Sequence, residues 1–115
     1  IASGDSILDL AYNLKKRKAK RVFAGATFAF FTSGLEAFDK AYADGVIDHV
    51  FATNLTYTPQ AVLDRPWFSQ ADMSKYMAFV IATLNHDQSL SYLLNPWNRI
   101  EKLLTKYRAE HPHND

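Results

Sequence analysis

The chain has 115 residues, 48% of them hydrophobic and 22% charged, with a formal net charge of +1. That composition excludes a disordered chain, and the length allows one modest core. Cysteine is absent, which excludes a disulfide framework and a thiolate metal site and fits a cytoplasmic protein. The longest apolar run, Val22 to Phe31, falls well short of the roughly twenty residues of a membrane-spanning helix, so it reads as a buried strand. The balanced charge gives no ground to expect a nucleic acid or a membrane as partner. The first residue is Ile, and it leads directly into a loop-like Ala-Ser-Gly-Asp-Ser segment. The chain is therefore expected to be a piece of a domain whose preceding strand lies elsewhere.

In chain order, Ile7, Leu10, Ala11 and Leu14 recur at the spacing of one helical face, which predicts a helix over roughly 6–17. Lys15, Lys16 and Arg17 fall in its last turn, where the helix dipole favours cations. Val22 to Phe30 is apolar with little alternation, the pattern of a parallel strand covered on both faces. Ser33 and Glu36 have the spacing of a capping box. Leu35, Phe38, Ala41 and Tyr42 then line a helical face that Gly45 ends in a left-handed turn. His49 to Thr53 reads as a second strand, Asn54 to Arg65 as a loop, and Trp67 to Gln70 as a final strand.

Beyond these, Met73, Tyr76, Met77, Val80, Ile81 and Leu84 mark a helix capped by Asp72. A short turn begins at Ser89. Asn95 and Pro96 open a last helix with Ile100, Leu103, Leu104 and Tyr107 on its apolar face, and the polar tail from Arg108 is expected to fray. Alternating helices and strands predict an α/β fold with a partial doubly wound parallel sheet and additional carboxy-terminal helices.

One segment has the make-up of a phosphate cradle. Ala2, Ser3, Gly4, Asp5 and Ser6 feed the amino end of the first helix, where unpaired N–H groups carry the positive end of the dipole. Gly4 lets the backbone turn tightly, and Ser3 and Ser6 offer hydroxyl donors. The same residues also make an ordinary turn and helix cap. Position favours the cradle, because the loop would lie at the carboxyl end of a strand, where open α/β sheets bind ligands.

The run Ile1 to Ile7, followed by a helix and by Ala19 to Ala24, resembles the phosphoribosyl-pyrophosphate motif of type I phosphoribosyltransferase folds. Val50 to Asn54, and Asp72 through Leu94 with its Ser89-Leu90-Ser91 turn, resemble the ribose-phosphate pyrophosphokinases within that superfamily. The resemblance covers nearly the whole chain, although the final helix looks like a feature of a divergent bacterial subgroup. It implies transfer of pyrophosphate from ATP to ribose 5-phosphate with magnesium, in a homo-oligomer. It places Ala2, Ser3, Gly4, Asp5 and Ser6 on the sugar 5-phosphate, and leaves the acidic pair, the ATP contacts and the metal ligands upstream of Ile1. The fragment alone is then expected to be inactive. A nucleobase phosphoribosyltransferase and a catalytically silent homologue are the alternatives. Two departures stand out: Asp5 occupies a glycine position of the motif, and Phe28 stands where many members have histidine.

Other features have plainer readings. Lys15 to Arg21 holds six basic residues in seven and reads as a solvated helix end leading into a strand. Asn85, His86 and Asp87 terminate a helix. His111 and His113 lack the further ligands of a metal site. Phe28, Phe30 and Phe31 are read as core or subunit-contact residues.

Overall fold

A computed structural model describes residues 1–111 of the chain. Its elements are α1 (Asp5–Lys16), β1 (Phe23–Ala26), α2 (Glu36–Ala43), β2 (His49–Thr53), α3 (Gln60–Leu63), β3 (Phe68–Ala71), α4 (Ser74–Asn85), α5 (Ser91–Leu94) and α6 (Trp97–Glu110). The three strands form one parallel sheet in the order β1-β2-β3, with Phe23 opposite His49 and Val50 opposite Phe68. Parallel neighbours need a crossover, and α2 and α3 supply the two. The fold is thus α/β, as the element order predicts. The chain divides into two compact units, Ile1–Ser74 and the helices from Lys75 onward.

Among the described residues, all the buried hydrophobic ones lie in the first unit, between Leu8 and Phe68. At their centre Phe38 and Trp67 stack at 5.4 Å, and both are fully buried. Phe31 meets the two rings edge-on at 5.0 and 5.7 Å and Phe68 at 6.1 Å. Each such aromatic pair contributes on the order of 1 kcal/mol beyond its area burial. Trp67 Nε1 donates to Asp39 Oδ1 at 2.7 Å, which satisfies the buried indole. Arg65 Nε lies 3.0 Å from the same oxygen but out of line for a hydrogen bond, so that pairing is ionic.

The apolar run at Val22 departs from its expected form. Only Phe23–Ala26 is strand, and burial alternates along it, with Phe23 57% exposed and Gly25 exposed. One face of the sheet is packed, with Val50 and Ala52 buried, while Phe51 on the other is 45% exposed. A strand covered on both faces is therefore not what these residues form. Phe31 ends the run by turning into the left-handed region at φ +49, which sends its ring back into the core. Phe28 and Phe30 remain exposed and stack on each other at 6.2 Å.

Several local expectations also change. The proposed capping box does not form: Leu35 is the N-cap of α2, and no side-chain cap bond is made. Gly45 does end α2 at φ +67, with Val46 N–H returning to Ala41 C=O at 2.8 Å. The segment Asn54 to Arg65 is not all loop, since it contains α3. In α1 the buried residues are Leu8 and Ala11, whereas Leu10 and Leu14 of the predicted core face are exposed.

The second unit has helices where the periodicity puts them, but α4, α5 and α6 contain no buried residue. Met73, Tyr76 and Val80 are half-buried, and Ile100, Leu103, Leu104 and Tyr107 are exposed. Asn95 Oδ1 accepts from Trp97 N–H at 3.1 Å across Pro96, the N-cap of α6, and the helix continues to Glu110 rather than fraying at Arg108. Ser91 N–H donates to Ser89 Oγ at 3.2 Å in the predicted turn. Arg99 joins α6 to the preceding segment by donating to Leu93 C=O at 3.1 Å and lying 5.5 Å from the Tyr76 ring centre. No helix among the described residues is long and apolar enough to cross a membrane.

Candidate anion-binding loop at the sheet's carboxyl end

Ile1 and Ala2 run beside the chain that leaves β1. Ile1 N donates to Phe28 C=O at 2.6 Å, Phe30 N–H to Ile1 C=O at 2.9 Å, and Thr32 N–H to Ala2 C=O at 3.0 Å. This pairing has the sense of a parallel bridge at Ile1, and it goes no further, because Thr32 bonds Ala2 rather than Ser3. It delivers Ser3 to Ser6 at the carboxyl end of the sheet, the edge at which ligands bind in open α/β folds.

Gly4 is the N-cap of α1 at φ +95 and ψ −5, and its C=O accepts the first helical bond from Leu8 N–H at 3.0 Å. An L side chain is strained at that φ. A Cβ there would also overlap the edge of the Phe38 ring. Gly4 therefore lets the loop close onto the aromatic core, a role that Ser-Gly-Asp-Ser does not disclose by itself. No protein acceptor is found, among the described residues, for the N–H groups of Ser3, Gly4, Ser6 and Ile7.

Around these amides the side chains are mixed in charge. Ser3 Oγ donates to Asp5 Oδ2 at 2.9 Å and is itself only weakly approached by Asp5 N–H at 3.5 Å. Asp5 and Ser6 are exposed, Ala2 is exposed and Gly4 is buried. The loop thus offers donors to an anion, together with one carboxylate that opposes it. Asp5 also sits in the first turn and Lys15 and Lys16 in the last, the charge order that the α1 dipole favours.

The carboxyl ends of the other strands are tied by Thr53, Asn54 and Asp72, of which Asp72 was expected from sequence as a helix cap. Thr53 Oγ1 donates to Thr27 C=O at 2.6 Å, joining β2 to the exit of β1. Asn54 Nδ2 donates to Asp72 Oδ1 at 2.8 Å and to Ser74 Oγ at 3.2 Å, while Asn54 Oδ1 accepts from Met73 N–H at 2.8 Å. Asp72 also caps α4, accepting from Ser74 N–H at 2.9 Å. The Ser74 hydroxyl, the Ser74 amide and the Asn54 amide hold the Asp72 carboxyl below the usual carboxylate range. A polar Thr-Asn pair at a strand end was the available signal. No hydrogen bond joins this group to the Ser3–Ser6 loop among the described residues.

In the basic run, Lys15 Nζ donates to Lys20 C=O at 2.8 Å and lies 3.7 Å from Asp48 Oδ2, which accepts from Val22 N–H at 2.7 Å. The other cations of the run are exposed, as a solvated helix end requires. His86 closes α4, with Asp87 left-handed at φ +48. The His111 ring stacks on Tyr107 at 4.3 Å, and His113 lies outside the described residues. Among the described residues no three His, Cys, Asp or Glu side chains come together as metal ligands would.

No family model matches the chain. A ribose-phosphate pyrophosphokinase of Vibrio cholerae serotype O1 is 33% identical to it over 95 residues, covering 83% of this chain. The chain spans 29% of that relative's length.

Proposed function

We propose that this chain is the carboxy-terminal part of a ribose-phosphate diphosphokinase with a phosphoribosyltransferase-like, doubly wound fold. In that enzyme ATP and ribose 5-phosphate give phosphoribosyl pyrophosphate and AMP. The observation that carries the reading is the unsatisfied amide row of Ser3, Gly4, Ser6 and Ile7 at the sheet's carboxyl end, in a chain similar to a pyrophosphokinase. Ala2, Ser3, Gly4, Asp5 and Ser6 hold the sugar 5-phosphate, with the α1 dipole favouring its charge. The sugar 1-hydroxyl attacks the β-phosphorus of ATP, the bridging oxygen leaves with AMP, and the hydroxyl proton is released. Catalysis of such a transfer rests on positioning and charge neutralisation.

This chain's contribution is positioning: the loop fixes one end of the sugar while groups upstream of Ile1 hold the nucleotide. Magnesium would neutralise the nucleotide phosphates. Its ligands belong to the remainder of the enzyme, which works in the cytoplasm as a homo-oligomer.

Titration of ribose 5-phosphate into the ¹⁵N-labelled chain tests the loop assignment. The amide signals of Ser3 to Ile7 move together, and ribose without phosphate leaves them in place. Unmoved loop amides at millimolar ligand would sink the assignment. The longer gene product then tests the reaction, by AMP release from ATP that depends on ribose 5-phosphate. One observation favours a second reading, a catalytically silent homologue: the Asp5 carboxylate, held by Ser3 Oγ, puts negative charge inside the cradle.

A further inference from the structure

α6 carries an apolar stripe that is left uncovered among the described residues. Trp97, Ile100, Leu103, Leu104 and Tyr107 follow the 3.6-residue period, and all five are exposed. Two shallow grooves flank the ridge that Ile100 and Leu104 make. One is bordered by Glu101 and Arg108, the other by Lys106 and Glu110. A ridge between grooves is the relief into which a second helix packs, with about 8–10 Å between the axes.

The two borders differ in how their charges are satisfied. Lys106 and Glu110 neutralise each other across one turn at 3.8 Å. Arg99, on the same side of the helix, is taken up by Leu93 C=O and the Tyr76 ring. Glu101 and Arg108 have no ionic partner among the described residues. They are seven residues apart, about 10 Å along the axis, too far to pair with each other. A border with an acid at one end and a base at the other complements its own reversed copy. A twofold axis across the helix beside Leu104 sets Glu101 of each copy against Arg108 of the other, in a contact that is the same from both sides.

We infer that α6 pairs antiparallel with α6 of a second copy of this chain, stripe on stripe, with two Glu101–Arg108 ion pairs along one border. A parallel pair would turn that border onto Lys106 and Glu110, which are already neutralised. An anionic lipid surface is another partner that amphipathic helices take, but Glu101 and Glu110 at the two edges of the stripe oppose it. In the antiparallel pair Leu104 packs on its own copy, and Ile100 of each chain lies near Tyr107 of the other. Burial of the stripe supplies the affinity, and the border charges set the direction. The inference rests on α6 alone and holds whatever the Ser3–Ser6 loop binds.

Sedimentation equilibrium of the 115-residue chain, from micromolar to millimolar concentration, reads the association. The expected result is a monomer–dimer equilibrium. Glu101→Arg and Arg108→Glu each place two like-charge contacts in the pair, and each should weaken it by about tenfold or more. Mixed in equal amounts, the two variants should pair with each other nearly as tightly as the original chain, because an all-basic border then faces an all-acidic one. Both positions are exposed, and recovery in a mixture of the same two chains excludes misfolding as the cause of their weakness. Failure of the original chain to associate at millimolar concentration overturns the inference. So does a dimer indifferent to both reversals, or a mixture no tighter than either variant alone. A monomer that sediments with phosphatidylserine vesicles would assign the stripe to a lipid surface instead.

Discussion

The ring edge of Phe38 occupies the space that a Cβ on Gly4 would need, so the candidate phosphate loop and the aromatic core are one packed structure. Gly4→Ala then meets two penalties, overpacking against the ring and an L residue at φ +95, together about 2–4 kcal/mol. Urea unfolding measures this. In a Phe38→Leu background the same substitution should cost about 1 kcal/mol less, the coupling expected of residues in direct contact. Equal costs in the two backgrounds would show that Phe38 does not set the loop.

Asp5 makes the opposite kind of prediction. Its carboxylate is tied to Ser3 Oγ beside the free amides, and an anion entering the loop must approach it. Asp5→Asn keeps an acceptor for the hydroxyl and removes the charge. An exposed charge at a helix end is worth about 0.3–1 kcal/mol, so ribose 5-phosphate should bind about 2- to 5-fold more tightly. The gain should shrink as salt is added. Unchanged affinity in the variant would mean that the carboxylate swings clear of the ligand.

The Asp72 tie carries a pH dependence with a definite sign. Its folded-state carboxyl is held low, first by the Ser74 hydroxyl, then by the Ser74 amide and the Asn54 amide. A depressed carboxyl contributes stability that is present above the unfolded-state value. That contribution declines as pH falls through the interval between the unfolded and folded values, and is gone below the folded one. The exchange rate of Ser74 N–H, corrected for intrinsic rates, should therefore rise on acidification through that window. In Asp72→Asn the acid step should be absent.

Truncation tests which residues complete the core. Among the described residues every buried hydrophobic one lies between Leu8 and Phe68, and α4 needs only Asp72 and Ser74 for its cap. A chain ending at Asn85 should unfold as one cooperative transition, with a midpoint within about 5 °C of the full chain. Loss of the transition would show that residues beyond Asn85 complete the core.

The elements that could be read from sequence are those whose evidence is local. The 3.6-residue repeats of α1, α2, α4 and α6 suffice, as do Gly45 at the end of α2 and Asp72 before α4. Features that depend on distant partners could not be read that way. Val22 to Phe30 has strand composition throughout, but Ala26 is its last strand residue and Phe31 folds back into the core. The face of α1 at Leu10 and Leu14 was legible as apolar, while its uncovered state depends on the edge of β1. Within the site, the five loop residues were legible as a candidate. The Phe38 contact of Gly4 and the Asn54 clasp were not, because neither leaves a periodic trace.

Phe31 shows where local and global demands part. Its φ of +49 suits glycine, while its position between Phe38, Trp67 and Phe68 calls for an aromatic ring. No single residue type meets both, so this position is locally frustrated in an otherwise consistent core. Phe31→Gly would relax the backbone but empty the centre of the aromatic cluster, so repair here requires paired changes on two elements. The turn at Phe31 also carries Thr32 to its bond with Ala2. The least adaptable residue of the core therefore fixes where the candidate loop begins.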